Sequence, residues 1–203
     1  MKKLLLTFII SIFTIASYTQ LPELIYYQFE NSSGVTNYAS SPVGTNPATI
    51  NGLAIGSGGF LGSNGLIGTG ASSGTNKVNT GWNTTINGSF TIAFWVNNTG
   101  VGTTLYYIFG DAGASSFRCF TNGLAGANNW MIRGAGLPDL SVNGGASSGG
   151  KMIHAVYDAT AGTYTSYIDG TQNTQVTVGV TPNVTGSGLT IGGYSSNSSL
   201  IGV

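Results

Sequence analysis

The sequence predicts an all-β domain, and three observations lead to this fold class. Short runs rich in β-branched and aromatic residues alternate with clusters of Gly, Asn and Ser, as in sandwiches and barrels of short strands. After residue 20, no stretch of ten residues has the apolar spacing of an amphipathic helix, and 33 glycines interrupt nearly every window. Charged residues make up only 6% of the chain, yet 41% of the residues are hydrophobic, which favours a packed core over disorder.

The first 20 residues have the layout of an export signal. Basic residues at positions 1–3 precede a nearly continuous apolar run over residues 4–15, and small and polar residues follow up to Gln20. The run is shorter than the ~20 residues that cross a bilayer, which makes an uncleaved anchor the weaker alternative. We therefore expect a signal peptide over residues 1–20 and one domain over residues 21–203. The mature chain is expected to have no membrane span and to be secreted or at the cell surface.

The clearest strand is predicted over residues 89–96, where side chains alternate between two faces. One face carries only large apolar groups: Phe90, Ile92, Phe94 and Val96. The other face carries Trp95 beside smaller residues. Because both faces include apolar groups, we expect this strand to be central in its sheet.

A hairpin is predicted next, with strands over residues 152–158 and 163–168 around a turn at 159–162. Asp169-Gly170 then predicts a tight turn into a strand at 174–180, because both central positions of the favoured turn need positive φ. Weaker strands are expected at residues 24–29, 66–67, 76–79, 105–109, 117–120, 130–133 and 189–192. Loops are expected at residues 100–103, 123–129 and 144–150.

Four segments in this order resemble a known family: LIYYQFE, GSFTIAFWVN, KMIHAVYDATAGTYTSYIDGTQ and LTIGGYSSNSSLIGV. The chain resembles the laminin-G-like, concanavalin-A-like jelly-roll domain of secreted bacterial proteins over residues 24–203. The resemblance implies a two-sheet antiparallel jelly-roll sandwich. Its members bind carbohydrates, glycosaminoglycans or protein surfaces, often with calcium, and some related jelly rolls are glycosidases. Since the family's closing strand would start at Gly202, we expect the last strand to be missing and the chain to be a fragment.

Charge and carboxylate spacing bear on two further functions. Outside the predicted signal peptide there are four basic and six acidic side chains, without the Lys and Arg clusters that nucleic acid requires, so no nucleic-acid partner is expected. Glycoside hydrolysis needs two carboxylates that flank one bond. The Glu-x-Asp-x-x-Glu cluster of jelly-roll glucanases is absent, and His154 has no nucleophile beside it. We therefore expect no catalysis, with a distant carboxylate pair as the alternative.

A ligand site is predicted around Trp130, whose ring is a candidate stacking platform for a sugar. Asn128, Asn129 and Arg133 flank it and could hydrogen-bond to sugar hydroxyls. Other candidate platforms are Trp82, Tyr107 and Tyr194, and for each of these aromatics a core position is the alternative. Cys119 lies between two phenylalanines and is expected to be a buried apolar residue, since it has no cysteine partner.

A calcium site is predicted at Asp111 and Asp139, which we expect in loops where backbone carbonyls are accessible. Calcium takes several oxygen ligands, usually carboxylates together with carbonyls. The alternative for each aspartate is a turn residue that accepts hydrogen bonds from its own backbone. Asp158 and Asp169 are expected to be turn formers of this kind.

The sequence therefore favours a secreted, non-catalytic binding module whose ligand is a carbohydrate. Two alternatives remain open. One is an adhesion or structural module of a cell-surface protein, with cell-surface or matrix proteins as partners, as the uniform low-charge composition would allow. The other is an accessory domain of a larger glycoside hydrolase.

Overall fold

The structure, a computed structural model, describes residues 22–30, 35–59, 63–68, 74–97, 104–113, 116–134, 136–194 and 197–198. The predicted signal peptide, the expected loop at 100–103 and the residues around Gly202 on which the missing strand depends lie outside the described residues. Within the described ranges, no helix is both long and apolar enough to cross a membrane.

The described residues form seventeen strands and one short 3₁₀ helix, Gly123–Ala125. The strands are β1 Thr49–Asn51, β2 Ala54–Ser57, β3 Asn64–Ile67, β4 Lys77–Asn79, β5 Thr85–Ile86, β6 Phe90–Val96, β7 Tyr106–Asp111, β8 Arg118–Thr121, β9 Trp130–Gly134, β10 Leu137–Val142, β11 Lys151–Asp158, β12 Thr163–Ile168, β13 Thr171–Thr177, β14 Val184–Thr185, β15 Leu189–Ile191, β16 Gly193–Tyr194 and β17 Asn197–Ser198.

Two antiparallel sheets contain most of these strands. A seven-stranded sheet has the order β1-β4-β15-β7-β8-β9-β10, and a four-stranded sheet has the order β13-β12-β11-β6. The remaining strands pair as β2–β3, β5–β14 and β16–β17. The prediction of an all-β, antiparallel sandwich is therefore confirmed.

The core lies between the two sheets. Phe94 of β6 meets Trp130 of β9 edge to face, with ring centres 6.5 Å apart and planes at 88°. Phe90 meets Phe117 in the same manner at 6.1 Å. Such edge-to-face pairs add about 0.5–1.5 kcal/mol to the free energy gained from burying the rings. Cys119 is fully buried in this core, as expected, and burial raises the pKa of its thiol well above the usual range.

The position of β6 differs from the prediction of a central strand, because β6 lies at one end of the four-stranded sheet. Its side chains alternate in exposure, with Phe90, Ile92 and Phe94 turned toward the core and Trp95 turned outward. An apolar side chain does not have to be buried, since much of any protein surface is apolar. The apolar character of both faces was therefore a poor guide to the place of the strand in its sheet.

The tight turn at Asp169-Gly170 is confirmed, and both residues have positive φ, at 50° and 78°. The Asp169 carboxylate also accepts a hydrogen bond of 2.8 Å from the Met152 backbone N–H, which ties the turn to β11. Asp158 accepts two bonds from the backbone of its own turn, as expected of a turn former. The strand after Gly170 begins at Thr171, three residues earlier than predicted.

Two other segments differ from their predictions. Residues 24–29 form no strand; instead the buried side chain of Asn37 bonds to the Tyr26 N–H and the Leu24 carbonyl, each at 2.9 Å. Together with backbone bonds from the Tyr38 and Val43 N–H groups, these bonds hold the segment without a regular strand pairing. Conversely, β10 was not predicted, because Asp139 was expected in a loop. Proline is tolerated there because β10 is an edge strand of the seven-stranded sheet.

Candidate functional site

Trp130 is a core residue, and its side chain is only 1% exposed. Successive side chains of a strand point to opposite faces, so Trp130 and Ile132 of β9 point inward and Met131 and Arg133 point outward. Trp130 and Arg133, three positions apart, therefore cannot meet on one ligand. The predicted stacking role of Trp130 is wrong, because neither face of its ring reaches the surface.

Asn128 and Asn129, the predicted neighbours of Trp130, organise loops. The Asn129 side chain donates to the Ala125 carbonyl at 2.9 Å and accepts from the Gly144 N–H at 2.8 Å. Asn128 adopts a φ of 64°, and its backbone N–H bonds to the side chain of Asn122 at 3.0 Å. The Asn129 amide is therefore engaged within the protein on both its oxygen and its nitrogen.

Arg133 and Asp139 form a two-bond ion pair on the outer side of the seven-stranded sheet. The guanidinium Nε donates to Asp139 Oδ1 at 2.8 Å, and Nη2 donates to Oδ2 at 2.7 Å. Both side chains are about one-third exposed, at 33% and 34%. Asp139 lies on β10 and not in the loop that was expected for a calcium ligand.

Asp111 is buried at the end of β7, with no exposed surface. Its carboxylate accepts hydrogen bonds from the Thr84 hydroxyl at 2.8 Å and from the N–H groups of Gly113, Ser187 and Gly188 at 2.9, 2.6 and 2.9 Å. Burial raises the pKa of Asp111, but these hydrogen bonds outweigh it and hold the pKa below its usual value. The side chain therefore ties together three chain segments as a carboxylate.

The predicted calcium ligands do not fit a calcium ion. A carboxylate has about four lone-pair positions, and the donors around Asp111 occupy them. Asp139 is neutralised by Arg133. In the part of the chain that the structure describes, no three His, Cys, Asp or Glu side chains gather in a way that could hold a metal.

The predicted platforms Tyr107 and Tyr194 pack against each other. Their rings are stacked with centres 5.4 Å apart, and Tyr107 is only 7% exposed. Tyr194 is half-buried, and the Arg118 guanidinium lies 5.0 Å from its ring centre. Trp82, the remaining candidate, is half-buried beside Thr80. None of these three rings is as exposed as Trp95.

The outer side of the four-stranded sheet carries a different set of aromatic and polar groups, which we call the open face. Its principal residues are Trp95, His154, Tyr167, Gln172 and Gln175, while Thr165 on the same side is only 3% exposed. Trp95 is 45% exposed. The residues of β11 that alternate with this face are fully buried, including Ile153 and Ala155 at 0%.

The strand register brings the open face together. His154 lies directly opposite Tyr167 on the neighbouring strand, and Tyr167 lies opposite Gln172 on the next. Paired side chains on one face of a sheet are in contact range. The Gln175 amide also donates to the Thr165 hydroxyl at 2.9 Å. The result is a surface that presents aromatic rings and amides, with the apolar Met152 opposite Trp95.

The open face was not predicted from the sequence, although one signal was present. Thr91 and Ala93 alternate with Trp95 on the outer side of β6, and their small or polar side chains indicate an exposed face. The prediction gave more weight to Trp95 as an apolar residue.

The model of one protein family, described as the concanavalin A-like lectin/glucanases superfamily, matches residues 70–202 of the chain. Among curated proteins, none is similar enough to the chain to count as a match.

Two solved structures share the fold. The binding domain of paraclostridial mosquitocidal protein 1 superposes with a TM-score of 0.64 at 12% identity, over 88% of this chain and 45% of that one. Domain 4 of AbnA, a GH43 extracellular arabinanase from Geobacillus stearothermophilus solved in complex with arabinotriose, has a TM-score of 0.55 at 16% identity, over 89% and 90%. The chain thus spans less than half of the first structure. At these identities the likeness concerns the fold alone.

Proposed function

Because the chain belongs to the concanavalin A-like lectin/glucanase superfamily, we propose that it is a non-catalytic carbohydrate-binding module whose sugar site is the open face. The observation that carries the proposal is Trp95, whose side chain is 45% exposed on β6, an edge strand of the four-stranded sheet. A large aromatic ring held on a rigid strand offers apolar area to a ligand at a small cost in side-chain entropy.

The chemistry of the open face suits a neutral sugar. The apolar C–H side of a sugar ring can stack on Trp95 or Tyr167, while its hydroxyls take hydrogen bonds from amides and hydroxyls. Gln172 is exposed and lies opposite Tyr167, and so places an amide beside an aromatic ring. Arabinotriose, which is bound to the arabinanase domain of the same fold, is a reasonable first ligand to test.

The proposal includes export of the module to the cell surface or medium. The basic and apolar N-terminal residues support it, because that layout directs secretion. Service as an accessory domain of a larger glycoside hydrolase is compatible with the same sugar site, since such a domain would hold the enzyme on its polysaccharide.

The test is to titrate arabinotriose, and neutral oligosaccharides of glucose, galactose, xylose and mannose, into the wild type and into Trp95→Ala. We expect saturable binding of at least one sugar, weakened about tenfold or more in the variant, as for a central aromatic contact. Tyr38→Ala is the matched control, because Tyr38 is 50% exposed and lies outside the open face. Equal affinity of wild type and Trp95→Ala, or no binding to any of these sugars, would refute the site.

A second candidate function is adhesion through protein contacts. Leu124 is 73% exposed in the 3₁₀ helix, and Leu105, which is 37% exposed, lies near Gly123 at the start of that helix. Adhesion predicts that retention on cells survives enzymatic removal of glycans and falls in Leu124→Ser. Loss of retention after glycan removal would instead support the sugar site.

A further inference from the structure

Two arginines lie directly opposite each other on the outer side of the seven-stranded sheet. Arg118 of β8 pairs in register with Arg133 of β9, so their side chains emerge side by side. Like charges at directly opposed positions destabilise a sheet. A negative charge close to the two guanidinium groups would offset their repulsion.

Only one of the two cations has a carboxylate partner. Arg133 is paired with Asp139 through two short bonds. All six Asp and Glu side chains of the chain lie in the described ranges, and none of them forms an ion pair with Arg118. Arg118 donates instead to the Ser116 carbonyl at 2.7 Å through Nη1. A guanidinium has five N–H donors, so most of the capacity of Arg118 remains for another acceptor.

Aromatic rings hold the Arg118 guanidinium in place. It lies 5.0 Å from the ring centre of Tyr194 and 5.8 Å from that of Phe120, both within cation–π range. Tyr194 is itself fixed by stacking on Tyr107. A side chain that is already ordered loses little entropy when it binds a ligand.

The local charge is positive in a chain that is otherwise poor in cations. Outside the predicted signal peptide, only four basic side chains occur, and two of them are this pair. Lys151, by contrast, donates to the backbone carbonyls of Ser147 and Ser148. Two guanidinium groups against the single carboxylate of Asp139 leave one positive charge that is complementary to an anion.

We propose that the outer side of β8 and β9 is a second binding site, which takes the carboxylate of an acidic saccharide through the Arg118 guanidinium. Arg118 presents a planar fork that matches a carboxylate, and the half-buried ring of Tyr194 lies beside it to contact the sugar. This site is on the opposite sheet from the open face, so it stands whether or not Trp95 binds a neutral sugar.

The test compares trigalacturonic acid with its trimethyl ester, in which all three carboxylates are esterified, so that it is uncharged and only slightly larger. We expect the wild type to bind the acid about tenfold or more tightly than the ester, the factor that one charge-assisted hydrogen bond supplies. Arg118→Gln should abolish that preference, and Arg118→Lys should not restore it fully, because an ammonium lacks the fork. Thermal unfolding of each variant checks that it is folded.

Asp139→Asn supplies a test that misfolding cannot imitate. Without the Asp139 carboxylate, the Arg133 guanidinium can also bind a ligand carboxylate. The affinity for trigalacturonic acid should therefore rise severalfold. Lys77→Gln controls for loss of a distant positive charge, and Trp95→Ala should keep the preference for the acid. The proposal is overturned if the wild type binds acid and ester equally, if Arg118→Gln weakens binding no more than Lys77→Gln does, or if Asp139→Asn weakens it.

Discussion

The outer sides of the two sheets differ in how far they are covered. In the seven-stranded sheet, β7 is buried along its whole length, and Tyr107, Phe120 and Met131 form a second apolar cluster on the outer side. In the four-stranded sheet, β6 and β11 alternate between core residues and residues that reach solvent. A continuous buried run marks a strand covered on both sides, and alternation marks one that faces solvent. A ligand can therefore approach the open face at Trp95 on β6 and at Gln172 and Gln175 on β13.

The tryptophans of β6 and β9 show what this difference means for function. Trp130 lies inside the sandwich and contributes to stability, whereas Trp95 lies on the open face and is placed to contribute to binding. If that division is correct, Trp130→Ala will reduce stability, and Trp95→Ala will reduce binding.

The largest effect should follow from Trp130→Ala, which removes a large core side chain. We expect the free energy of unfolding to fall by about 3–5 kcal/mol in this variant, and by only about 1–2 kcal/mol in Trp95→Ala, because the Trp95 ring is 45% exposed. Urea unfolding followed by far-UV circular dichroism measures both. Similar losses in the two variants would show that the open face is covered in solution.

The second largest loss of stability is expected for Asp111→Asn. The amide nitrogen of the new side chain cannot accept a hydrogen bond, yet it would face N–H or O–H donors that now point at a carboxylate oxygen. A loss of about 2–3 kcal/mol is expected from the hydrogen bonds that are left unmade. Asp158→Asn is the control, since Asp158 is exposed. An Asp111→Asn variant as stable as the control would mean that Asp111 does not tie the surrounding loops together.

The same carboxylate predicts how stability depends on pH. The pKa of Asp111 is lower in the folded protein than in the unfolded chain. As the pH falls below about 4, the Asp111 side chain of the unfolded chain is therefore protonated before that of the folded protein, which favours unfolding. The stabilisation is therefore complete above that value and is lost as the pH falls through the folded pKa. Thermal unfolding between pH 6 and pH 2 should show a smaller acid-induced decrease in Asp111→Asn than in the wild type or Asp158→Asn.

Gly186→Ala tests the space around Asp111 and should have a smaller effect. A Cβ at position 186 would lie 1.9 Å from Asp111 Oδ2, so the carboxylate or the loop must move. We expect a loss of about 1–3 kcal/mol, as for other overpacked sites. Gly179→Ala meets nothing within 4 Å and should differ from wild type by less than about 1 kcal/mol. Equal stabilities would show that the loop accommodates the methyl group.

Local patterns predicted much of the fold. The alternation over residues 89–96, the Asp169-Gly170 turn and the buried Cys119 all rest on side-chain periodicity or backbone preference, which act within a few residues. The errors have non-local causes. Residues 24–29 are held by the side chain of Asn37, and Pro138 fits a strand because β10 is at an edge and its pairing with β9 is irregular between Leu137 and Leu140. Neither fact is visible in the segment itself.

The candidate site was harder to predict than the fold. Trp95 and Trp130 both lie in apolar strands, and their local sequences do not say which one faces the opposite sheet. The Asp111 partners Thr84 and Ser187 are 27 and 76 residues away. Arg118 lies beside Arg133 because of the β8–β9 register. Each of these relations depends on strand pairing between segments that are separate in the sequence.

The sequence by itself determined the fold class, the strands with strong alternation, the tight turns and the low-charge surface, because backbone preference and hydrophobic patterning act locally. Only the tertiary structure decided which tryptophan is exposed, which aspartate is buried and which arginine lacks a carboxylate partner. These outcomes depend on how two sheets stack and on which face of each strand is covered. A one-residue change of register would reverse every side chain of a strand, so burial is a property of the assembled sandwich.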